Sequence, residues 1–384
     1  MHLYVHVPFC KRRCSYCDFD IAVRKQVPGD EFVEAIKREF ALRHLALSPA
    51  AEPLETLYFG GGTPSLLSSS QVAALIRFFR EEIGFAERGR GRGGGVEVTM
   101  EVNPDDVTPK SAEQWLAAGV NRVSLGVQSL NPAVLQWMHR VHTGEDSLRA
   151  IRFLTAAGLP SLSVDVIFGL PETLGADPAG DLRRLLGCDV DHVSAYGLTV
   201  ESGTPLAKWT SQGAVRHATD GAYADEFLQL HEMLVQGGFE HYEVSNYAKP
   251  ERRSRHNQAY WTGRRYWGLG PSAHSFGNGI RRWNMRQWAE YHRAVANGSD
   301  PKVGEEELSA DQLNLEHWYL GLRTTEGVPV PEGEGGDLAP QLRAAIDRGW
   351  LTVEGGGGRI RPTPEGWLRL DAIVASLTTS AEGG

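Results

Sequence analysis

The sequence predicts an α/β fold: a partial (β/α)6 barrel followed by a C-terminal helical, winged-helix-like region. Two patterns carry that expectation. Six short β-branched runs alternate with amphipathic stretches through the first 200 or so residues, as βα units feeding a parallel sheet do, and the alternation stops near residue 210. Length agrees, because 384 residues exceed a typical single domain, yet an α/β barrel absorbs most of them as one unit and leaves a smaller appendage.

Taken in order, the strand candidates are LYVHV near residue 3, TLYFG near 56, VEVTMEV near 96, RVSLGV near 122, SLSVDVIFG near 161 and HVSAYGL near 192. Between them lie EFVEAIKREFALRHL, QVAALIRFFREEI, SAEQWLAA, PAVLQWMHRV and SLRAIRFLTAAG, helical in period and several followed by the glycine expected just past a helix end. Six units make an incomplete barrel, and in barrels the chemistry gathers at the C-terminal ends of the strands. The tract RGRGRGGG at residues 88–95 reads as a solvated connector before the third strand.

Beyond residue 210 the helix DEFLQLHEMLVQGG leads into an aromatic, glycine-rich segment from His241 to Phe276. LSADQLNLEHWYLGLRTTEGV and LAPQLRAAIDRGWL then read as helices, LTVEGGGGRIRPT as a hairpin and PEGWLRLDAIVASL as a last helix. The expected domains are therefore 1–210 for the partial barrel, 211–300 for an extension and 301–384 for the winged-helix-like region.

A formal charge of -9 and a pI near 5.8 argue against a general binder of phosphate backbones, so no nucleic-acid partner is expected, although a local basic patch fits within that balance. MHLYVHVPFC shows neither the apolar run nor the small-residue cleavage site of a secretory signal, and no stretch is long and apolar enough to span a bilayer. Four cysteines, three of them in one short segment, do not suit a disulfide framework, which points to the reducing cytoplasm. Association with a membrane would go through a partner or a surface patch.

The three clustered cysteines, Cys10-x3-Cys14-x2-Cys17, directly follow the first strand. Thiolates are the usual ligands of iron–sulfur cubanes, which take one per iron. Three ligands for four irons leave one iron open, where S-adenosylmethionine (SAM) can chelate through its amino and carboxylate groups and be cleaved by an electron from the reduced cluster. The competing reading is a structural zinc site completed by His6 or Cys188, against which no second ligand knuckle follows. Tyr16 and Phe19 either shield the cluster or pack the loop, and Cys188 reads as a core thiol.

Further polar candidates sit at successive strand ends. In FGGGTPSLL the backbone of Gly61, Gly62 and Thr63 can approach a ligand closely. Glu101 closes the third strand, Gln128 the fourth, and Asp165 lies on the fifth, with Arg140 able to take a carboxylate in a two-pronged salt link. Singly, each is as readily a satisfied core polar group or a surface ion pair.

Together, HVPFCKRRCSYCDF, FGGGTPS, EVNP, GVQS, HRVH and VDVIFGLP resemble the coproporphyrinogen III dehydrogenase (HemN) and HemW branch of radical SAM proteins over most of the chain. The resemblance implies that Cys10, Cys14 and Cys17 hold a 4Fe–4S cluster and that Tyr4, Tyr16, Gly61, Gly62, Thr63, Glu101, Gln128, Arg140 and Asp165 hold SAM. Within the branch the chain is most similar to the heme chaperone family HemW. Phe19 stands where the dehydrogenases carry a further Cys, the chain begins almost on its first strand, and HNQAYW at His256 to Trp261 fits the HNxxYW signature. This implies heme binding and delivery to heme-accepting respiratory proteins, and an electron donor such as flavodoxin or ferredoxin, with a homodimer compatible. The alternative it leaves is an oxygen-independent coproporphyrinogen III dehydrogenase of porphyrin biosynthesis. A third class, a cluster-containing nucleic-acid regulator, runs against the charge. For heme, Tyr242, Tyr247, Tyr260, Trp261, Tyr266 and Trp267 offer rings, and His256 and His274 are the candidate axial imidazoles, although such clusters are more often core.

Overall fold

The computed structural model describes residues 1–44, 52–86, 95–330, 340–353 and 358–378. Each of the six β-branched runs forms a strand: β1 (His2–Val7), β2 (Thr56–Gly61), β3 (Glu97–Val102), β4 (Arg122–Gln128), β5 (Ser161–Phe168) and β6 (His192–Gly197). They pair in chain order and all in parallel, and their side chains are buried almost continuously, as strands covered on both faces require. The crossovers are α1 (Gly29–His44), α2 (Ser69–Glu82), α3 (Pro109–Ala118), α4 (Pro132–Trp137), α5 (Gly144–Ala156) and α6 (Pro178–Leu186). Local chemistry starts them where they start. Ser68, Thr108 and Thr143 form capping boxes, and α3, α4 and α6 carry a proline in their first turn, where its missing N–H costs nothing. Val72, Leu75, Ile76 and Phe79 form the stripe that α2 lays on the sheet.

The parallel sheet does not end at six strands. After α7 (Pro205–Ser211) and α8 (Asp220–Gln236), the hairpin β7 (Glu240–Glu243) and β8 (Asn246–Ala248) adds antiparallel to β6. Past α9 (Arg255–Trp261), the strand β9 (Tyr266–Leu269) returns to the opposite side and pairs parallel with β1. Then β10 (His274–Gly277), β11 (Ile280–Asn284) and, after α10 (Trp288–Ala296), β12 (Lys302–Glu307) continue it antiparallel. The result is one 12-stranded sheet ordered β12-β11-β10-β9-β1-β2-β3-β4-β5-β6-β8-β7. The aromatic segment from His241 to Phe276 thus supplies strands to both flanks of the sheet, with α9 between them.

One buried carboxylate ties this late addition to the first helix. Glu39 on α1 is fully buried and accepts from Arg43 Nη1 at 2.9 Å, Asn284 Nδ2 at 2.6 Å, the Gly270 N–H at 2.7 Å and the Tyr291 hydroxyl at 2.8 Å. Arg43 in turn donates from Nη1 to the Gly268 carbonyl and from Nη2 to the Ser275 hydroxyl, which leaves only its buried Nε without a partner among the described residues.

The remainder is α11 (Ala310–Gly321) and a small three-stranded sheet, β13 (Val328–Pro329), β14 (Leu351–Val353) and β15 (Arg359–Pro362), ordered β13-β15-β14. Around it stand α12 (Pro340–Asp347), α13 (Pro364–Trp367) and α14 (Leu370–Thr378). The hairpin read from LTVEGGGGRIRPT forms as β14 and β15, with residues 354–357 outside the described residues. Trp367 anchors the unit: its indole N–H donates to the Leu322 carbonyl at 3.0 Å and its ring lies 4.0 Å from that of His241 on β7. The tract at 88–95, except Gly95, also lies outside the described residues. Among the described residues no helix is long and apolar enough to cross a membrane.

Candidate functional site

At the C-terminal end of β1 the chain turns at Pro8, and Phe9–Cys10 pairs in parallel with Ala22–Val23, closing the cysteine loop on itself. Two backbone bonds make that closure, Ala22 N–H to the Pro8 carbonyl at 2.7 Å and Arg24 N–H to the Cys10 carbonyl at 2.9 Å. The middle of the loop is pinned by the fully buried Ser15. Its N–H donates to the Met138 carbonyl, its hydroxyl donates to the Trp137 carbonyl, and its own carbonyl accepts from the Leu206 N–H. Cys14 and Cys17 therefore flank a fixed point and not a free arm.

Cys10, Cys14 and Cys17 face one cavity of about 400 Å³, whose wall also includes Tyr16, Gly61, Gly62, Thr63, Glu101, Gln128, Arg140 and Asp165. Residues spread over 155 positions are gathered because each lies at a strand end or just beyond it. Tyr4 is the one expected SAM residue outside this wall; its hydroxyl meets His6 Nδ1 at 3.2 Å and its ring packs beside Tyr58 and His256 beneath the cavity. The glycine turn serves the cysteine strand first. At Gly61, with φ +107°, a Cβ would lie about 2.5 Å from the His6 ring, and at Gly62 about 2.8 Å from the Phe9 carbonyl oxygen. Gln128 reaches the cavity through a register shift between β4 and β5 and a left-handed backbone at φ +65°.

Burial pushes the Cys10 thiol up, and pushes that of Cys17 up to about 11. Three neighbouring thiolates need positive charge to exist together at neutral pH, which a metal centre supplies. Among the described residues no three of His, Cys, Asp or Glu are grouped to hold one ion.

A polar circuit links two of the cysteines. Cys10 Sγ lies 3.3 Å from Thr63 Oγ1, Asn103 Nδ2 donates to that oxygen at 3.4 Å, Arg140 Nη2 donates to Asn103 Oδ1 at 2.7 Å, and Arg140 Nη1 points to Cys14 Sγ at 3.7 Å. Arg140 also donates to the Gly126 carbonyl at 2.9 Å, so its plane is set. Asn103 is a residue the sequence reading passed over. The signal for it was the period of a strand, because Asn103 follows Glu101 by two and so shares its face.

Of the carboxylates that line the cavity, Glu101 and Asp165 are unlike ordinary buried ones. Among the described residues Glu101 accepts only from the Tyr58 hydroxyl and the Gly61 N–H, each at 2.9 Å, and burial pushes it up to about 7. Asp165 accepts from the Ser124 hydroxyl at 2.9 Å, and burial pushes it up to about 6. Neither forms an ion pair among the described residues. A guanidinium on one side and two cation-hungry carboxylates on the other make a site for a molecule that carries an anionic group together with an ammonium or hydroxyls.

The heme candidates do not join this cavity. His256 is 1% exposed, its Nδ1 lies 2.7 Å from Thr56 Oγ1 and its Nε2 2.9 Å from the Tyr260 hydroxyl, and burial drives it down to about 3. Both ring nitrogens are engaged, so in this arrangement His256 joins α9 to β2 and has none free for iron. Tyr260 spends its hydroxyl on that bond, and Trp261 lies under Arg323, 5.7 Å from its ring. His274 is exposed and stacks on Trp283. Tyr242 and Tyr247 are buried and present no open face.

Comparison with known proteins places this geometry. The model of the radical SAM superfamily matches residues 4–179. Over 378 residues the chain is 35% identical to a protein of Mycobacterium tuberculosis (strain ATCC 25618 / H37Rv) named heme chaperone HemW, covering 98% of this chain and 94% of that one. It is 32% identical to the heme chaperone HemW of Escherichia coli (strain K12), with 92% of each covered. It is 31% identical to the mitochondrial radical S-adenosyl methionine domain-containing protein 1 of Danio rerio, covering 99% of this chain and 87% of that one. Coproporphyrinogen III oxidase (HemN) from Escherichia coli, a radical SAM enzyme, shares the fold with a TM-score of 0.77 at 21% identity, covering 98% of this chain and 90% of that one.

Proposed function

The chain belongs to the HemW family of radical SAM proteins, and from that premise we propose that it is a heme chaperone, binding heme and passing it to heme-accepting respiratory proteins. Near-full-length similarity to proteins named heme chaperone HemW carries this reading. Phe19, in place of the dehydrogenases' further Cys, supports it against porphyrin decarboxylation. In the same reading Cys10, Cys14 and Cys17 ligate a 4Fe–4S cluster and the cavity behind them takes SAM.

The bound cluster would supply one electron to the sulfonium of SAM. The chain's own part is placement. Arg140, held by Asn103 and the Gly126 carbonyl, offers a fixed guanidinium to the carboxylate of the methionyl group. Glu101 and Asp165, short of donors, take the ammonium and the ribose hydroxyls, and the Gly61–Gly62 backbone lets the ligand come close. Tyr16 roofs the cysteines, and Tyr4 supports the floor from below.

The test is anaerobic reconstitution with iron and sulfide, followed by parallel assays of heme binding and of coproporphyrinogen III turnover with SAM and a reductant. The expected result is heme retained at near-stoichiometric level with no protoporphyrinogen formed. Substantial protoporphyrinogen would overturn the chaperone reading in favour of the dehydrogenase. In the same preparation Cys14→Ala should stay folded and lose the visible absorbance of the cluster; unchanged absorbance would remove Cys14 from the ligand set.

A further inference from the structure

The geometry points to a heme seat on the rim of the SAM cavity, with His139 as the ligand to iron. The inference rests on the chaperone reading above and adds to it the place where the heme sits. His256 has both ring nitrogens engaged, and His274 stacks on Trp283 outside the cavity wall. His139 is part of that wall.

The backbone at this residue does not invite a side chain. His139 follows the end of α4, where the Arg140 N–H bonds to the Leu135 carbonyl at 2.9 Å, and its φ of +60° is the left-handed turn that favours glycine. A large residue held there carries strain, and strain of that kind gathers at functional sites. The imidazole is exposed, and among the described residues neither of its nitrogens has a hydrogen-bond partner. What steadies it is Trp209 on α7, whose ring lies 5.7 Å away at 80° and is itself tilted against Trp137 at 6.0 Å. A ring fixed by an aromatic neighbour, with both nitrogens unspent, is what an axial ligand requires.

Around His139 the cavity changes character. Its floor is polar, about Glu101 and Asp165, whereas Phe19, Val141 and Tyr196 on its wall are 52%, 55% and 42% exposed. These three come from the cysteine loop, from the connection between α4 and α5 and from the end of β6, so apolar surface reaches the mouth from three sides. Large apolar groups left in water around one opening mark a ligand. Charge does little of the choosing. Arg12 is exposed on the wall without a carboxylate partner among the described residues and can take one propionate. Lys11 is spent on Asp105 and Asp106, and Asp18 and Glu201 are exposed on the same wall. Selection therefore falls to an imidazole set in an apolar collar, a pair that an iron tetrapyrrole uses in full. The adenine of SAM competes for the collar. Seated on the rim, heme covers the mouth, so SAM bound beneath it leaves more slowly.

The experiment uses the reconstituted full-length protein with SAM, ferric heme and iron-free protoporphyrin IX as probes, and the variants His139→Gly, Val141→Glu and His274→Ala. Glycine suits the left-handed backbone, so His139→Gly removes the imidazole without straining the fold. Affinity is read by absorbance titration of the Soret band, and axial ligation by electron paramagnetic resonance of the ferric heme. His139→Gly should lose the imidazole-ligated signal and bind heme roughly tenfold or more weakly, and free imidazole should restore the signal. Its affinity for iron-free protoporphyrin should stay near wild type. Val141→Glu should weaken both tetrapyrroles, and His274→Ala neither. Heme should slow the release of labelled SAM from wild type and not from His139→Gly. An unchanged heme signal and affinity in His139→Gly would overturn the seat and leave the chaperone reading standing, because the heme then binds elsewhere. A loss of SAM affinity in that variant with heme untouched would also overturn it, giving the rim to SAM. Wild-type protein that takes up no heme fails the chaperone reading itself, and the seat with it.

Discussion

Glu39 and Glu101 are both glutamates taken out of water, and they differ in what surrounds them. Glu39 is met by a guanidinium, an amide, a backbone N–H and a phenol. Among the described residues Glu101 is met by one phenol and one N–H, and by no cation. The first is a rivet between α1 and the outer strands; the second is a half-filled socket. Burial alone does not mark a site; Glu101 stands out because its spare acceptor capacity faces the cavity at the strand ends.

The largest effect expected from this contrast lies in the rivet. Arg43→Ala strands Glu39 without its charge partner and should cost about 3–5 kcal/mol of unfolding free energy in a denaturant titration, since breaking one side of a buried pair leaves the other uncompensated. SAM affinity of the folded fraction should stay near wild type. A loss below about 1 kcal/mol would show that the two glutamates are not so different.

Next comes a pH dependence in the cluster-free protein. The carboxyl of Glu101 is raised from its ordinary 4.5 to about 7, so the folded state prefers it protonated. The stability it contributes is complete at low pH and is lost as pH rises through about 7, which amounts to about 1 kcal/mol between pH 6 and pH 8. Asp165, raised to about 6, tilts the curve the same way. Glu101→Gln should flatten this slope, and an unchanged slope would assign it to other groups. Below about pH 7 SAM binding should also weaken, because the carboxyl must first lose its proton.

The smallest effect concerns Asn103, which orients Arg140 without reaching the ligand pocket's centre. Asn103→Ala should weaken SAM by a few-fold, about 0.5–1 kcal/mol, and should shift the midpoint potential of the cluster by loosening the guanidinium from Cys14. Asn103→Asp keeps the acceptor oxygen and should restore most of the affinity. Equal behaviour of the two variants would mean that Asn103 only fills space.

The central parallel strands and most of the cavity wall could be read in advance, because β-branched runs and strand-end polar residues are local signals. What could not be read are contacts between distant positions. β9 is only YWGL, a glycine-containing tetrapeptide whose partner β1 lies some 260 residues earlier. His256 sits in a recognisable hexapeptide, but its fate is decided by Thr56, 200 positions away. Tyr4 lies on the correct strand, paired with Tyr58, but three residues before the level at which Val7 meets Gly61 at the strand ends, so it stays outside the cavity wall. Asn103 was visible inside EVNP, and only the folded positions of Thr63 and Arg140 give it a role.

β1, the strand that leads into the cysteines, is not an edge: it lies between β2 and β9. A ribosome adding roughly 5–20 residues per second needs some tens of seconds to travel from one neighbour's partner to the other. Throughout that interval the thiols are already outside while their scaffold is unfinished. Iron and sulfide are therefore best delivered after release of the chain, and a nascent polypeptide stalled before Tyr266 would carry all three cysteines on a loop that follows a strand still missing one of its two hydrogen-bonded sides.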